Sequence, residues 1–221
     1  MTPNNGIFWL RQTPKITCVA TLGPEGSSSQ YAAQYLSRLI GDPLEVLLFS
    51  TFEQASEHVE SNESCLLLVA NAYQRVDNFY MNERTLLLGS FFLPPPAYYL
   101  ACKDISNLTF KILSKNTISI ASHHAPLSRL DGLIRSSEEN VPDIRKAQIE
   151  VQLTDSTSGG AQQTAVGNVD CCLANINAIK LHNLTVISQP LHIEMTWVAF
   201  SKNTIIQKEI DNGKQQVRIN Y

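Results

Sequence analysis

The hydrophobic positions of this chain alternate between short continuous runs and longer runs with helical spacing. A short β-branched run at residues 16–22 and an apolar run at residues 65–70 predict β-strands, and the second is apolar throughout, as expected for a strand covered on both faces of its sheet. Between them, residues 28–40 carry apolar side chains three or four positions apart, which predicts an amphipathic helix. Another helix is predicted to begin at Thr51, because the sequence from Thr51 to Gln54 has the form of a capping box.

The same alternation continues to the end of the chain. Further strands are predicted at residues 46–49, 118–121, 149–153, 170–175 and 195–201, and further helices at residues 122–135, 158–166 and 176–181. Strands and helices that alternate in this way build mostly parallel sheets with helices on both faces. The sequence therefore predicts an α/β fold.

A run of three prolines, Pro94-Pro95-Pro96, interrupts this pattern near its middle. Three prolines cannot continue a helix or a central strand, so we predict a segment that crosses between two lobes. Residues 16–95 and 190–221 are assigned to lobe 1, and residues 96–189 to lobe 2, after an N-terminal extension of residues 1–15. Two such lobes place a ligand cleft between them, near the ends of strands.

Composition and charge exclude several classes of partner. The 17 basic residues are dispersed and the net charge is −3, whereas a nucleic-acid surface needs concentrated basic residues. No apolar run approaches the roughly 20 residues that a membrane span requires. The five cysteines show no CxxC spacing, and adjacent His123 and His124 have no matching ligand run, so we expect buried reduced thiols, no metal site, no cofactor and a cytoplasmic location.

Two turns that follow strands and open helices are candidate anion sites. The first, residues 23–29, contains Ser27 and Ser28, and the second, residues 155–160, contains Ser156, Thr157 and Ser158. Free amides and hydroxyls at a helix start bind anions, although the same residues also serve as ordinary N-caps. One turn in each predicted lobe could hold a ligand with two carboxylates at two helix N-termini.

Other candidates follow the ends of other predicted strands. Tyr73 and Arg75 come after the strand at residues 65–70, and Arg75 could pair with a carboxylate or remain a solvated surface residue. His123 could donate a proton or a hydrogen bond, or could cap the following helix. Thr196 and Trp197 lie where the chain is expected to re-enter the cleft.

These residues together carry a family resemblance. The stretch Leu22-Gly23-Pro24-Glu25-Gly26-Ser27-Ser28-Ser29 resembles the opening motif of prephenate dehydratases. Ser122-His123-His124 resembles their Ser-His-Pro turn, and residues 155–161 resemble their Ser-Thr-x-x-Ala-Ala helix start. The match runs in order from about residue 16 to residue 202. It implies a two-lobed fold like that of type II periplasmic binding proteins, with mostly parallel mixed sheets and a central cleft.

The chain departs from the dehydratase pattern at two places. Ala72-Tyr73-Gln74 stands where dehydratases have Glu-Asn-Ser, and Trp197 stands at the arginine of their Thr-Arg-Phe motif, while Thr196 matches the threonine. Because the sequence ends at Tyr221, we expect no regulatory ACT domain of the dehydratase type. The substituted motifs resemble the non-aromatizing prephenate decarboxylases, which supply precursors of bacilysin-type and related non-proteinogenic amino acids in secondary metabolism and antibiotic biosynthesis.

The resemblance implies a carboxy-lyase that removes the ring carboxylate of prephenate and retains the ring hydroxyl. We expect Ser27, Ser28, Ser156, Thr157 and Thr196 to hold carboxylates, with Ser158 and Arg75 as further binding residues. Tyr73 and Trp197 are expected to shape the ring pocket. The proton donor stays open among Glu25, His123, Tyr73, a water and the substrate's own carboxyl. An unusual dehydratase and a non-catalytic module that binds small acids are the alternatives, and a homodimer is one option for assembly.

Overall fold

The computed structural model describes residues 16–40, 43–114 and 116–204, so the predicted N-terminal extension lies outside the described residues. The ten strands of the described chain are β1 (Cys18–Leu22), β2 (Glu45–Phe49), β3 (Cys65–Ala70), β4 (Thr85–Phe92), β5 (Tyr98–Cys102), β6 (Ile118–Ser122), β7 (Ile149–Leu153), β8 (Cys171–Asn175), β9 (Thr185–Val186) and β10 (Thr196–Lys202). Its seven α-helices are α1 (Ser28–Ile40), α2 (Phe52–Glu60), α3 (Asp77–Tyr80), α4 (Ile105–Leu113), α5 (Leu130–Ser136), α6 (Thr157–Val166) and α7 (Ile176–Leu181). None of the described helices is long and apolar enough to cross a membrane.

The described chain forms two compact units, each with its own five-stranded sheet. The first unit includes residues 16–23, 32–93 and 195–204, and the second includes residues 24–31 and 94–194. The sequence-based bounds place residues 24–31 with lobe 1, whereas the structure groups them with the second unit because their polar contacts lie there.

The sheet of the first unit has the strand order β2-β1-β3-β10-β4. Strands β1, β2 and β3 run parallel, and β10 enters antiparallel between β3 and β4, as its predicted return to the first lobe requires. Buried side chains from these strands and from α2 form one apolar core, in which Phe52, Leu67 and Phe200 are nearly or fully buried. Thr51 caps α2 as predicted, because its hydroxyl accepts a hydrogen bond from the Gln54 amide.

The sheet of the second unit has the order β7-β6-β8-β5-β9. Strands β6, β7 and β8 are parallel, and β5 lies antiparallel to β8 so that Tyr98 at its start pairs with Asn175 at the end of β8. One core of this unit packs α4 and α5 on the sheet, and a second packs α6 and α7 on the other apolar positions of the same strands. The carboxyl ends of β6, β7 and β8 therefore share one edge, where the turns that open α6 and α7 also lie.

The structure differs from the expectation of reduced thiols at one pair of cysteines. Cys18 and Cys65 are register partners on neighbouring parallel strands, with Cα atoms 4.6 Å apart, and the structure joins them in a disulfide. Such a pairing is invisible in the sequence because 47 positions separate the two residues. The sulfurs lie with a His58 ring nitrogen within 4.8 Å of one another, but sulfurs bonded to each other are not thiolate ligands for a metal. Cys102, Cys171 and Cys172 are buried free thiols.

Candidate active site

Most of the first candidate turn, residues 23–29, lies in the segment of residues 24–31, and two hydrogen bonds join this segment to the rest of the second unit. The Asn175 side-chain amide donates to the Gly26 carbonyl at 3.0 Å, and the Ser158 hydroxyl donates to the Glu25 carbonyl at 2.7 Å. Gly26 has a φ of 79°, a conformation that glycine adopts without steric cost. These bonds bring the start of α1 beside the start of α6, so both predicted anion-binding turns belong to one unit.

Each of the two helix starts uses one hydroxyl as a cap and leaves the next one for other contacts. Ser27 accepts from the Gln30 amide at 3.1 Å, and Ser156 accepts from the Gly159 amide at 3.0 Å. The following residues, Ser28 and Thr157, begin their helices and are partly exposed. The first-turn amides of α1 and α6 and these two hydroxyls are groups of the kind that bind anions.

The Tyr98 phenol connects the two helix starts. Its oxygen lies 2.8 Å from the Ser28 hydroxyl, and a hydrogen bond with the Thr157 side chain also acts on it. Burial raises the pKa of Tyr98, and its hydrogen bonds with Ser28 and Thr157 lower the pKa only in part. The phenol therefore stays protonated near neutral pH and acts as a neutral hydrogen-bonding group.

His123 follows β6 at the same edge of this sheet. Burial lowers its pKa, and the neighbouring His124 lowers it further, although Asp155 opposes the shift. The Ala125 amide donates to His123 Nδ1 at 3.3 Å, so the neutral ring carries its proton on Nε2. His123 can therefore donate a hydrogen bond at neutral pH. The Glu25 side chain is exposed, which leaves its carboxylate accessible to solvent.

The remaining candidates lie at the carboxyl edge of the sheet of the first unit. The Tyr73 hydroxyl donates to Glu53 Oε1 at 2.9 Å and accepts from Arg75 Nη2 at 2.7 Å, while Arg75 also pairs with Glu53 at 3.1 Å. Burial raises the pKa of Tyr73, the Glu53 hydrogen bond adds to the rise, and Arg75 opposes it. The Tyr73 hydroxyl therefore already donates its proton in a hydrogen bond to Glu53. Arg75 is exposed and remains able to meet a second anion.

Thr196 begins β10 beside the end of β3. Its carbonyl accepts from the Asn71 amide at 3.0 Å, and its hydroxyl accepts from Asn71 Nδ2 at 3.2 Å. The Tyr80 hydroxyl donates to Asn71 Oδ1 at 3.3 Å, which fixes the orientation of that amide. Because Asn71 supplies the donor, the Thr196 hydroxyl keeps its own proton for another acceptor.

Trp197 has a different environment from the one that its sequence position suggests. Its side chain is 1% exposed, and its indole Nε1 donates to the Leu93 carbonyl at 3.0 Å. Trp197 therefore supports β10 from within the protein and presents no accessible wall to a ligand. Ser158, also fully buried, likewise holds a backbone carbonyl.

Sequence reasoning missed Tyr98 and Asn175 as parts of this site. Tyr98 occupies a strand in an apolar run, and Asn175 ends another such run, so both have the appearance of ordinary core-strand residues. Their partners lie 70 and 147 or more positions away along the chain. The one available signal is the polar Asn175 after four buried residues at the start of a helix, where asparagine favours the N-cap.

Comparison with solved structures supports the predicted α/β fold class. The chain matches a prephenate dehydratase from Staphylococcus aureus with a TM-score of 0.53, covering 85% of this chain and 67% of that one at 12% identity. It also matches a protein described as a novel type of quorum-quenching acylase with a TM-score of 0.56 and 15% identity, covering 84% of this chain and 64% of that one. At these identities the likeness concerns the fold, which confirms the prediction of a dehydratase-like α/β protein.

Comparison with curated proteins identifies relatives along most of the sequence, although no family model matches the chain. A protein named prephenate decarboxylase from Planktothrix agardhii is 32% identical over 199 residues, which cover 88% of this chain and 93% of that protein. A protein of the same name from Bacillus subtilis is 30% identical over 195 residues, covering 86% of this chain and 89% of the relative. On this shared sequence, over nearly the full length of both relatives, the chain belongs to the prephenate decarboxylase family.

Proposed function

We propose that this protein decarboxylates prephenate without aromatizing its ring, giving a dihydro-4-hydroxyphenylpyruvate. The observation that carries the proposal is the 32% identity to the Planktothrix agardhii prephenate decarboxylase over 88% of this chain. The hydroxyls and free amides at the starts of α1 and α6 support it, because they provide an anion site for a substrate with two carboxylates. The protein is thus a carbon–carbon lyase whose substrate is a small molecule.

The reaction requires one proton and no redox partner. The bond between the ring and its carboxylate carbon breaks, CO2 leaves, and the electron pair passes into the adjacent ring alkene. The far carbon of that alkene then takes a proton, so the ring hydroxyl is kept. Binding groups that hold the substrate in one orientation relative to the proton donor accelerate such a step.

The residues at the carboxyl edge of the first unit favour retention of the ring hydroxyl. Expulsion of hydroxide needs a group that protonates or strongly hydrogen-bonds the leaving oxygen. The Tyr73 proton is already donated to Glu53, and its pKa is raised by burial. Tyr73 is therefore a poor acid for a leaving hydroxyl. His123 is assigned as a neutral hydrogen-bond donor to substrate oxygen.

Product analysis tests this proposal directly. Purified protein incubated with prephenate at neutral pH is expected to release CO2 and to form a product that lacks aromatic NMR signals. A reaction without enzyme corrects for spontaneous decay of prephenate. Phenylpyruvate as the main enzymatic product would instead indicate a dehydratase. Binding of prephenate without turnover would indicate a ligand-binding module.

The binding residues are tested with paired variants. Ser28→Ala and Thr157→Val each remove a hydroxyl at a helix start and are expected to raise KM for prephenate about fivefold to tenfold, a loss of about 1–1.4 kcal/mol of binding. Ser106→Ala removes an exposed hydroxyl near the start of α4 and serves as the control. If Ser28→Ala and Thr157→Val have the same KM for prephenate as the Ser106→Ala control, Ser28 and Thr157 do not bind the substrate.

A cytoplasmic location and a homodimer belong to the same proposal. Cysteines in a reducing compartment stay as thiols, so a cytoplasmic protein would carry Cys18 and Cys65 mostly in the reduced form. Thiol alkylation of the protein in intact cells, followed by mass spectrometry, measures that form. Light scattering during gel filtration measures the assembly, and a mass near 24.6 kDa would contradict the dimer.

A further inference from the structure

We propose that Tyr98 and Asn175 are positioning residues that hold the Ser28 hydroxyl as a hydrogen-bond donor toward a substrate carboxylate. The inference rests on the proposed function, because it concerns the same anion site. Neither side chain offers much surface to a ligand: Asn175 is fully buried and Tyr98 is 7% exposed. Both therefore act through Ser28, which is partly exposed at the start of α1.

The orientation of the Asn175 amide is fixed by the cap of α7. Its Oδ1 accepts from the Asn177 amide at 2.9 Å and from the Ala178 amide at 3.0 Å. Its NH2 group must then face the opposite way, toward the Gly26 carbonyl at 3.0 Å and the Ser28 hydroxyl at 3.4 Å. Asn175 is thus a donor to Ser28, and an amide flip would break both cap bonds.

The hydroxyls around Tyr98 share a limited number of protons. A hydroxyl has one proton to donate and two lone pairs to accept with. Ser28 already accepts from Asn175, and it shares one hydrogen bond of 2.8 Å with Tyr98. When Tyr98 donates to Ser28, both lone pairs of Ser28 are occupied and its own proton must point to another acceptor.

The Thr157 side chain also acts on the Tyr98 phenol and lowers its pKa. A phenol that donates its proton to Ser28 keeps its lone pairs for such a second hydroxyl. In that direction of donation, the Ser28 proton points to the ligand. A carboxylate is an acceptor without protons, so it selects this direction when it binds.

Tyr98→Phe is the decisive variant because it keeps the ring and removes only the connecting hydroxyl. We expect KM for prephenate to rise about fivefold, with kcat changed less than twofold. Tyr99→Phe, on the next and half-buried residue of β5, is the matched control and is expected to leave KM unchanged. In a Ser28→Ala background, Tyr98→Phe should add less than a twofold change, because the residue through which it acts is gone.

Asn175→Asp separates positioning from helix capping. The aspartate keeps an oxygen acceptor for the cap of α7 but replaces the donating NH2 group with an oxygen that faces Ser28 and Gly26. We expect KM to rise at least tenfold. Asp104→Ala removes the side-chain cap of α4 and controls for stability, since it should lower the melting temperature without changing KM.

The outcomes separate this inference from the proposed function. An unaltered protein that forms no decarboxylated product overturns both. An active protein whose KM is the same after Tyr98→Phe overturns only the positioning inference. An equal effect of Tyr98→Phe with and without Ser28 also overturns it, because Tyr98 would then act independently of Ser28.

Discussion

At the scale of single residues, the burial of Trp197 determines what an arginine at this position would do to the protein. The dehydratase motif that this chain resembles has arginine there, but the Trp197 side chain is 1% exposed. A guanidinium at this place would be a buried charge beside the Leu93 carbonyl, the group to which the Trp197 indole donates.

We therefore predict that Trp197→Arg lowers the free energy of unfolding by about 3 kcal/mol or more and does not convert the product to phenylpyruvate. Trp197→Phe, which loses only the hydrogen bond to Leu93 and part of the ring, should cost about 1–2 kcal/mol. Urea denaturation measures both. A stable Trp197→Arg protein that makes phenylpyruvate would contradict this assignment.

The His123 environment predicts a dependence of stability on pH. Burial and His124 lower the pKa of His123 in the folded protein, whereas the unfolded chain has a histidine pKa near the ordinary value of 6.5. Between these two values the unfolded chain binds more protons than the folded one, so folding becomes less favourable as pH falls below about 6.5. Above this pH His123 is neutral in both the folded and the unfolded protein, so it no longer makes the free energy of unfolding change with pH.

His123→Gln should therefore flatten the fall in unfolding free energy between pH 7 and pH 5. His192→Gln, at an exposed position, should leave the profile unchanged. Denaturation at several pH values provides the comparison. An identical slope in the His123→Gln protein would show that other groups cause the acid sensitivity.

At the scale of secondary-structure elements, the disulfide joins β1 to β3 in the first unit. A cross-link over 47 positions reduces the conformational entropy of the unfolded chain, an effect of about 4 kcal/mol in the loop-entropy account. Reductant should lower the unfolding free energy of the oxidised protein by about this amount. Cys65→Ala should abolish the response to reductant, while Cys102→Ala, at a free thiol, should preserve it.

The elements themselves were largely predictable because local patterns determine them. The helix at residues 28–40, the strand at residues 65–70 and the helix at residues 176–181 have the predicted bounds. Continuous apolar runs and N-cap residues are local signals, so they can be recognised from the sequence alone. Helix α4 escaped prediction, although Asp104 caps it with two hydrogen bonds.

The candidate site was predictable only where a motif is contiguous. Ser27, Ser28, Ser156 and Thr157 lie in two short turns, and the structure brings those turns together. The hydrogen bond from Ser158 to Glu25 lies within these motifs, but the further contacts at the site involve Asn175 and Tyr98, which are distant in sequence and lie in apolar runs. Register between β5 and β8 puts these two residues side by side, and no local pattern encodes that register.

At the scale of the whole molecule, residues 24–31 follow the first strand of one unit but belong to the other. Gly26 lies close to α7. A Cβ atom at Gly26 would lie 3.1 Å from the Ala178 Cα, a backbone atom that cannot move without displacing the helix. At Gly167, which has a similar φ of 83°, a Cβ atom would meet nothing within 4 Å.

The comparison of these two glycines tests whether the close approach matters for activity. Both alanine variants carry the cost of a positive φ, about 1 kcal/mol. Gly26→Ala should lower the free energy of unfolding by about 1 kcal/mol more, because of the contact with Ala178. It should also raise KM for prephenate by shifting Ser28. Gly167→Ala should leave KM unchanged. Equal stability and equal KM in the two variants would mean that residues 24–31 tolerate displacement from α7. The close contact with α7 would then not determine the geometry of the anion site.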